Sequence, residues 1–87
     1  MVQKDLVVIN ESGLHARPAG LLVKAASKFK SNITILYQDK NINVKSLLNV
    51  LSAGIASGSK ITLVCEGEDE QEALKTLTEL IESGLGE

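Results

Sequence analysis

The nine residues "SGLHARPAG", Ser12 to Gly20, hold the groups of this chain best suited to chemistry. They include its one histidine (His15), its one arginine (Arg17) and its one proline (Pro18). An imidazole is substantially neutral near pH 7 and then offers a nucleophilic ring nitrogen. Proline is tolerated in the first turn of a helix, whose N–H groups have no partners within the helix. The stretch therefore reads as a helix start, at Ala16 or at Pro18. The restriction that proline places on the residue before it, Arg17, leaves both starts open. Either one puts His15 at the positive end of a helix, where backbone donors favour anions such as phosphate. Arg17 adds a guanidinium able to pair with phosphate oxygens through charge-assisted bonds. Nucleophile, anion cradle and countercharge thus fall within three residues. The bland reading stands beside this one: a lone surface histidine near an arginine, with Pro18 serving only to start the helix.

The elements that must position these residues follow from the apolar pattern. "DLVVIN" (Asp5 to Asn10) reads as a strand with Leu6 and Val8 on one face and Val7 and Ile9 on the other. "ESG" breaks it. Ala19, Leu22, Val23, Ala26 and Phe29 then recur on one helix face, with Lys24, Ser27 and Lys28 on the opposite side. "NITILY" (Asn32 to Tyr37) is a second strand, "QDKN" a turn, and "INV" (Ile42 to Val44) a short third strand in a hairpin with the second. Ser46 is placed to cap a two-turn helix, "LLNVLSAG", that stops at Gly54. "ITLVCE" (Ile61 to Glu66) is a fourth strand. The acidic cluster Glu68, Asp69, Glu70 and Glu72 suits a helix start, and Ala73, Leu74, Leu77, Leu80 and Ile81 give that helix its buried side up to Gly84. The order β-α-β-β-α-β-α predicts an α+β fold: an open-faced β-sandwich, a four-stranded antiparallel sheet with three helices on one face. With 87 residues and no linker or repeat, a single domain over 1–87 is expected.

Composition narrows the function. One histidine and one cysteine cannot supply the four N or S ligands of structural zinc, so no metal is expected, and no motif calls for a cofactor. Cys65 falls in the fourth strand on a face with Ile61 and Leu63, where a small buried apolar side chain is expected rather than a reactive thiol. A net charge of −2 and two aromatic residues, Phe29 and Tyr37, argue against a nucleic-acid partner. No apolar run is long enough to span a bilayer, so no membrane insertion is expected. The apolar run near the N-terminus is too short for a signal peptide, and the lone cysteine suits a reducing compartment; a cytoplasmic location follows as an expectation.

"GLHARPA" matches the phosphorylation motif of the HPr family, the histidine-containing phosphocarriers of the bacterial phosphoenolpyruvate-dependent sugar phosphotransferase system. "VKSLLNVLSAG" resembles that family's serine regulatory region. The spacing of the two segments, the element order and the closing "SGLGE" extend the resemblance over essentially the whole chain. The resemblance implies a relay without cofactor and without turnover. Enzyme I would phosphorylate Nδ1 of His15, with Arg17 as charge partner, and the phosphoryl group would pass to enzyme IIA domains of sugar transporters. It further implies that Ser46 is a regulatory site for an ATP-dependent HPr kinase/phosphorylase, linked to a catabolite control repressor, as in Gram-positive types. Ser46 is equally a preferred N-cap residue in its own right.

Family precedent also places a docking patch beside His15, formed by Ala16, Gly20, Lys24, Ser27, Leu47, Leu48 and Leu51. The three leucines are expected to divide between core and surface, because so short a helix cannot bury them all. Gly20 stands where Thr or Ala is common, and Leu48, Asn49 and Leu51 where Met, Gly and Met are frequent. These departures bear on partner affinity and leave the His15–Arg17 pair intact. A monomer is expected. The rival from another class is a small phosphatase of acylphosphatase type, which would need an arginine-lined, glycine-rich phosphate loop; Arg17 is present, but the glycine-rich cradle is not.

Overall fold

A computed structural model describes residues 1–86. Its elements are β1 (Val2–Val7), α1 (Ala16–Ala26), β2 (Asn32–Tyr37), β3 (Lys40–Asn43), α2 (Leu47–Ser52), β4 (Lys60–Glu66) and α3 (Glu70–Glu82). The strands form one antiparallel sheet in the order β1-β4-β2-β3. β1 and β2 run parallel with β4 between them, and β3 and β4 run parallel with β2 between them. Two split β-α-β units therefore interleave, each using a helix to cross over an intervening strand.

Alternation along the strands decides which face the helices cover. Leu6, Ile33, Ile35, Ile42, Ile61, Leu63 and Cys65 point to the helix side and are buried. Cross-strand pairs join them, Ile35 opposite Leu63 and Ile42, and Leu6 opposite Ile61. Ala19, Leu22 and Ala26 of α1, Val50 of α2, and Ala73, Leu77 and Ile81 of α3 complete the core. The other sheet face carries Gln3, Asp5, Leu36 and Asn43 in the open. This is the open-faced sandwich expected from the sequence.

Boundaries moved where backbone pairing overrode the apolar pattern. β1 begins three residues earlier than expected, since Val2 to Val7 pair with Cys65 to Lys60 and the polar Gln3, Lys4 and Asp5 are acceptable on an edge strand. Val8 and Ile9 lie beyond the end of β1, although they keep the predicted alternation, Val8 buried and Ile9 exposed. The hairpin turn is shorter than "QDKN": Tyr37 pairs directly with Lys40, and Gln38 takes the left-handed φ of 56° that closes a two-residue loop. α1 starts at Ala16, so Arg17 is helical despite the proline after it. At the end of α3, Gly84 (φ 89°) donates to Ile81 and Leu85 donates to Leu80 at 3.2 Å. That pair of bonds is a Schellman cap, and it drops Leu85 into the core.

Two loop contacts hold the layers in place. Gly13 has φ +65°, and a Cβ there would lie 2.6 Å from the Ile55 carbonyl oxygen and 2.9 Å from the Ser57 nitrogen. Across the molecule, Asp69 begins α3 without capping it. Its carboxylate instead accepts from the Ser31 hydroxyl (2.5 Å) and from the Lys30 and Ser31 amides (2.9 Å each). The Ser31 hydroxyl first, and then the Lys30 amide, hold its pKa down to about 2 from an ordinary 3.8.

Both contacts are testable. Gly13→Ala forces backbone apart and imposes a disfavoured φ, so it should destabilise the fold by more than about 1 kcal/mol in urea unfolding. For Asp69, a depressed folded pKa gives stability that is present above pH 3.8 and lost as pH falls toward 2. The substitution Asp69→Asn should lower the urea midpoint at pH 7, with the gap from wild type closing by pH 2. A gap that persists unchanged at pH 2 would contradict the linkage.

Candidate functional site

The segment leading to His15 is fastened at each step. Val8 donates to Ser59 (3.0 Å) and accepts from Gly58 (2.7 Å), which carries the sheet pairing past the end of β1. Gly13 donates to the Asn10 carbonyl at 3.0 Å, and the Asn10 side-chain amide donates back to the Gly13 carbonyl. Leu14 is buried and donates to Ile55 at 2.9 Å. The chain therefore enters α1 from a loop with little freedom, and the next residue is His15.

His15 is the N-cap of α1, with extended backbone (φ −78°, ψ −174°). Its carbonyl accepts from the Ala19 amide at 2.8 Å, closing the first turn. Its side chain makes no capping hydrogen bond and is exposed. The usual N-cap residues turn a side-chain oxygen onto the amides of the first turn; here the imidazole leaves those amides alone. The donors at this helix start are the Ala16 and Arg17 amides, because Pro18 at the third position has none. Pro18 and Ala19 are buried and anchor the turn, while Ala16 and Arg17, the two residues after His15, are exposed.

The residues singled out in the sequence separate into two groups. A pocket of ≈ 130 Å³ is lined by Leu14, His15, Leu51, Gly54, Ile55 and Ala56, so Leu51 at the end of α2 stands next to the histidine. At the other end of the helix pair, Lys45 of the α2 approach donates its ammonium to the Phe29 carbonyl just beyond α1, at 2.6 Å. α1 and α2 are thus antiparallel neighbours. Ser46, the N-cap of α2, lies at the end away from His15, separated by roughly the 9 Å length of a six-residue helix. Gly20 is partly exposed on α1 one turn beyond Arg17, and Lys24 is exposed a further turn along. Ser27 closes the far end of α1, about 16 Å from Ala16, and its hydroxyl is engaged with the Val23 carbonyl at 2.8 Å.

The α2 leucines did not divide between core and surface. Leu47, Leu48 and Leu51 are 43%, 74% and 39% exposed, and Val50 is the one residue of the helix that is buried. Of the six residues of α2, Val50 alone is buried, although Leu47 lies three residues before it on the same side of the helix. Leu21, outside the periodic face of α1, is also exposed at 40%. Sequence reasoning did not select it, although its place between Gly20 and Leu22 already put it off the core stripe. The wall that Gly54, Ile55 and Ala56 give to the histidine pocket was also missed. Its only trace in the sequence is the pair of glycines, Gly13 and Gly54, both at positive φ.

Cys65, the other candidate nucleophile, is fully buried. Burial, reinforced by the charges of Glu70 and Asp69, pushes its thiol up to about 11. It stays protonated and inert. Among the described residues no helix is long and apolar enough to cross a membrane.

Comparison with known proteins agrees with this geometry. The family profile described as the PTS HPr component phosphorylation site matches residues 2–83. The crystal structure of HPr-C-His from Thermoanaerobacter tengcongensis superposes with a TM-score of 0.96 at 45% identity, covering 100% of this chain and 98% of that one. The phosphocarrier protein HPr from Bacillus anthracis is 41% identical with a TM-score of 0.88, over 92% of this chain and 95% of its own. Crh, the catabolite repression protein of Bacillus subtilis, solved as a domain-swapped dimer, matches at 38% identity and a TM-score of 0.77, over 97% of each chain. With the profile running through both α1 and α2, the chain belongs to the HPr family, whose members carry a phosphoryl group within the phosphotransferase system and do not turn over a substrate.

Proposed function

We propose that this protein accepts a phosphoryl group on Nδ1 of His15 from phosphorylated enzyme I and delivers it to enzyme IIA domains of sugar transporters. The observation that carries the reading is the exposed imidazole of His15 at a helix start that its side chain does not cap. Nδ1 stands at the branch position from which an Asn or Asp N-cap would accept from the first turn. A phosphoryl group on Nδ1 brings its oxygens to the Ala16 and Arg17 amides, and the Arg17 guanidinium completes the countercharge. In the transfer the ring nitrogen attacks phosphorus, the N–P bond forms, and the bond from phosphorus to the donor breaks with its electrons. Delivery to enzyme IIA reverses these roles.

One copy of the chain holds all the groups invoked for this step, which supports a monomeric single domain as the working form, and a cytoplasmic location is part of the same proposal. Exposed Leu47, Leu48 and Leu51, with Ala16, Gly20, Lys24 and Ser27 along α1, form the face on which partners dock. Ser46 is the second phosphorylation site, modified by an ATP-dependent HPr kinase/phosphorylase and read by a catabolite control repressor. Phosphate at the start of α2 adds about −1.5 to −2 charges where its own helix tolerates them. Its inhibitory effect therefore arises at the docking face, through repulsion and desolvation.

Incubation with enzyme I and phosphoenolpyruvate, followed by intact-mass measurement, should show one acid-labile phosphoryl group that His15→Ala abolishes. Transfer that survives that change, or no transfer to the wild type, would overturn the assignment. Arg17→Ala should keep the acceptor but slow transfer roughly 10- to 100-fold, the scale of a lost hydrogen bond to a charged group. Ser46→Asp should slow transfer from enzyme I while leaving the fold intact. A fall in its Tm beyond about 5 °C, near 1 kcal/mol for a chain of this size, would place the inhibition in unfolding instead.

A further inference from the structure

Ser46 is held differently from an ordinary N-cap serine. Its hydroxyl oxygen accepts the Asn49 backbone amide at 3.2 Å, as an N-cap should, and accepts the Asn49 side-chain amide as well, at 3.1 Å. A serine hydroxyl has two acceptor lone pairs, and both are taken by one residue. The reason lies in the segment before the helix. In a capping box the third helical residue is Glu or Gln, and its side chain reaches back to the N-cap N–H. Here the Ser46 N–H already donates to the Asn43 carbonyl at 3.1 Å, and the Asn43 side chain holds the Lys45 amide at 3.0 Å. The shorter carboxamide of Asn49 is left to turn its donor onto the hydroxyl. Asn49 itself is exposed, and nothing in the core fixes its identity.

We infer that Asn49 is a positioning residue that restrains phosphorylation of Ser46, by occupying the lone pair with which the hydroxyl must attack. The inference rests on the reading of Ser46 as a phosphorylation site. In that reaction Ser46 Oγ attacks the γ-phosphorus of ATP, the O–P bond forms, and the bridging bond to ADP breaks with its electrons. The hydroxyl proton passes to a general base of the kinase. Attack needs a lone pair in line with the leaving ADP, so the Asn49 side-chain bond must open first. The backbone bond from Asn49 is common to every serine N-cap; the carboxamide bond is the added restraint. The effect belongs to the chemical step and leaves ATP binding alone.

The test measures Ser46 phosphorylation by a Gram-positive HPr kinase/phosphorylase with ATP, for wild type, Asn49→Ala, Asn49→Gln and a Ser46→Ala control. Asn49→Ala should raise the maximal rate about fivefold, the scale of one neutral hydrogen bond, with the KM for ATP unchanged. Asn49→Gln, which keeps the amide but sets it one methylene further from the hydroxyl, should also exceed wild type while keeping the helix, so a folding defect in the alanine variant would not decide the outcome. Rates at or below wild type in both variants would overturn the restraint. Absence of phosphate on Ser46 in every protein would instead remove the Ser46 reading, and the restraint with it.

Discussion

The site depends on one close approach. Gly13 lies against the backbone of Ile55, Ala56 and Ser57 with no room for a Cβ. That contact joins the loop before α1 to the loop between α2 and β4, and the Leu14–Ile55 hydrogen bond locks it. Three consequences follow from one missing methyl group. The chain enters α1 from a fixed direction, Leu14 is delivered to the core, and His15 is set against the wall made by Leu51, Gly54, Ile55 and Ala56. A loop is ordinarily mobile; here bonds made by Val8, Asn10, Gly13 and Leu14 fasten it up to the residue before the histidine.

The three helix starts show how availability arises. At α2 the Ser46 hydroxyl does the capping, with both donors drawn from Asn49. At α3 the Asp69 carboxylate leaves its own helix to grip Ser31 and Lys30, and in doing so ties α3 to the start of β2. At α1 the N-cap side chain takes neither course. The His15 side chain leaves the amides of its own helix start unbonded, which forgoes about 1 kcal/mol relative to a good cap. Burial of Pro18, Ala19 and Leu22 offsets that cost. A start that its N-cap side chain does not cap is therefore tolerated because the rest of α1 is well packed.

Much of this was legible in the residues. Alternation in "NITILY" and "ITLVCE" identified central strands correctly, because strands covered on one face must alternate. Gly84 marked the end of α3, and the Ser46 cap formed as expected. What escaped was whatever depends on a partner segment distant in sequence. The polar "QKD" of β1 looks like a loop until β4 lies beside it. Val50 could not be preferred over three leucines, since a two-turn helix has too short a period to show which residue turns inward. Gly13 read as a strand breaker, and only the fold shows the backbone it touches. The proposed histidine chemistry could be argued from the chain for a different reason: its nucleophile, amides and guanidinium are neighbours in sequence, whereas the segments that hold them in place are not.

A group that both receives and surrenders a phosphoryl moiety must not sit at the bottom of an energy well. Interactions that stabilise the charged intermediate equally against donor and acceptor lower its energy without lowering the barrier to leaving it. Deep burial of His15 would strengthen every hydrogen bond to the phosphoryl oxygens by excluding water. The arrangement found is the reverse: the imidazole is exposed at the edge of a small pocket of ≈ 130 Å³, and the two residues after it, Ala16 and Arg17, are exposed as well. On the proposed role, solvent screening would keep that hold weak in the free protein. A partner covering the exposed leucines of α2 and excluding water would then strengthen the same few donors at the moment of transfer. On that proposal, the fold would leave to its partners the dielectric that a self-contained enzyme builds for itself.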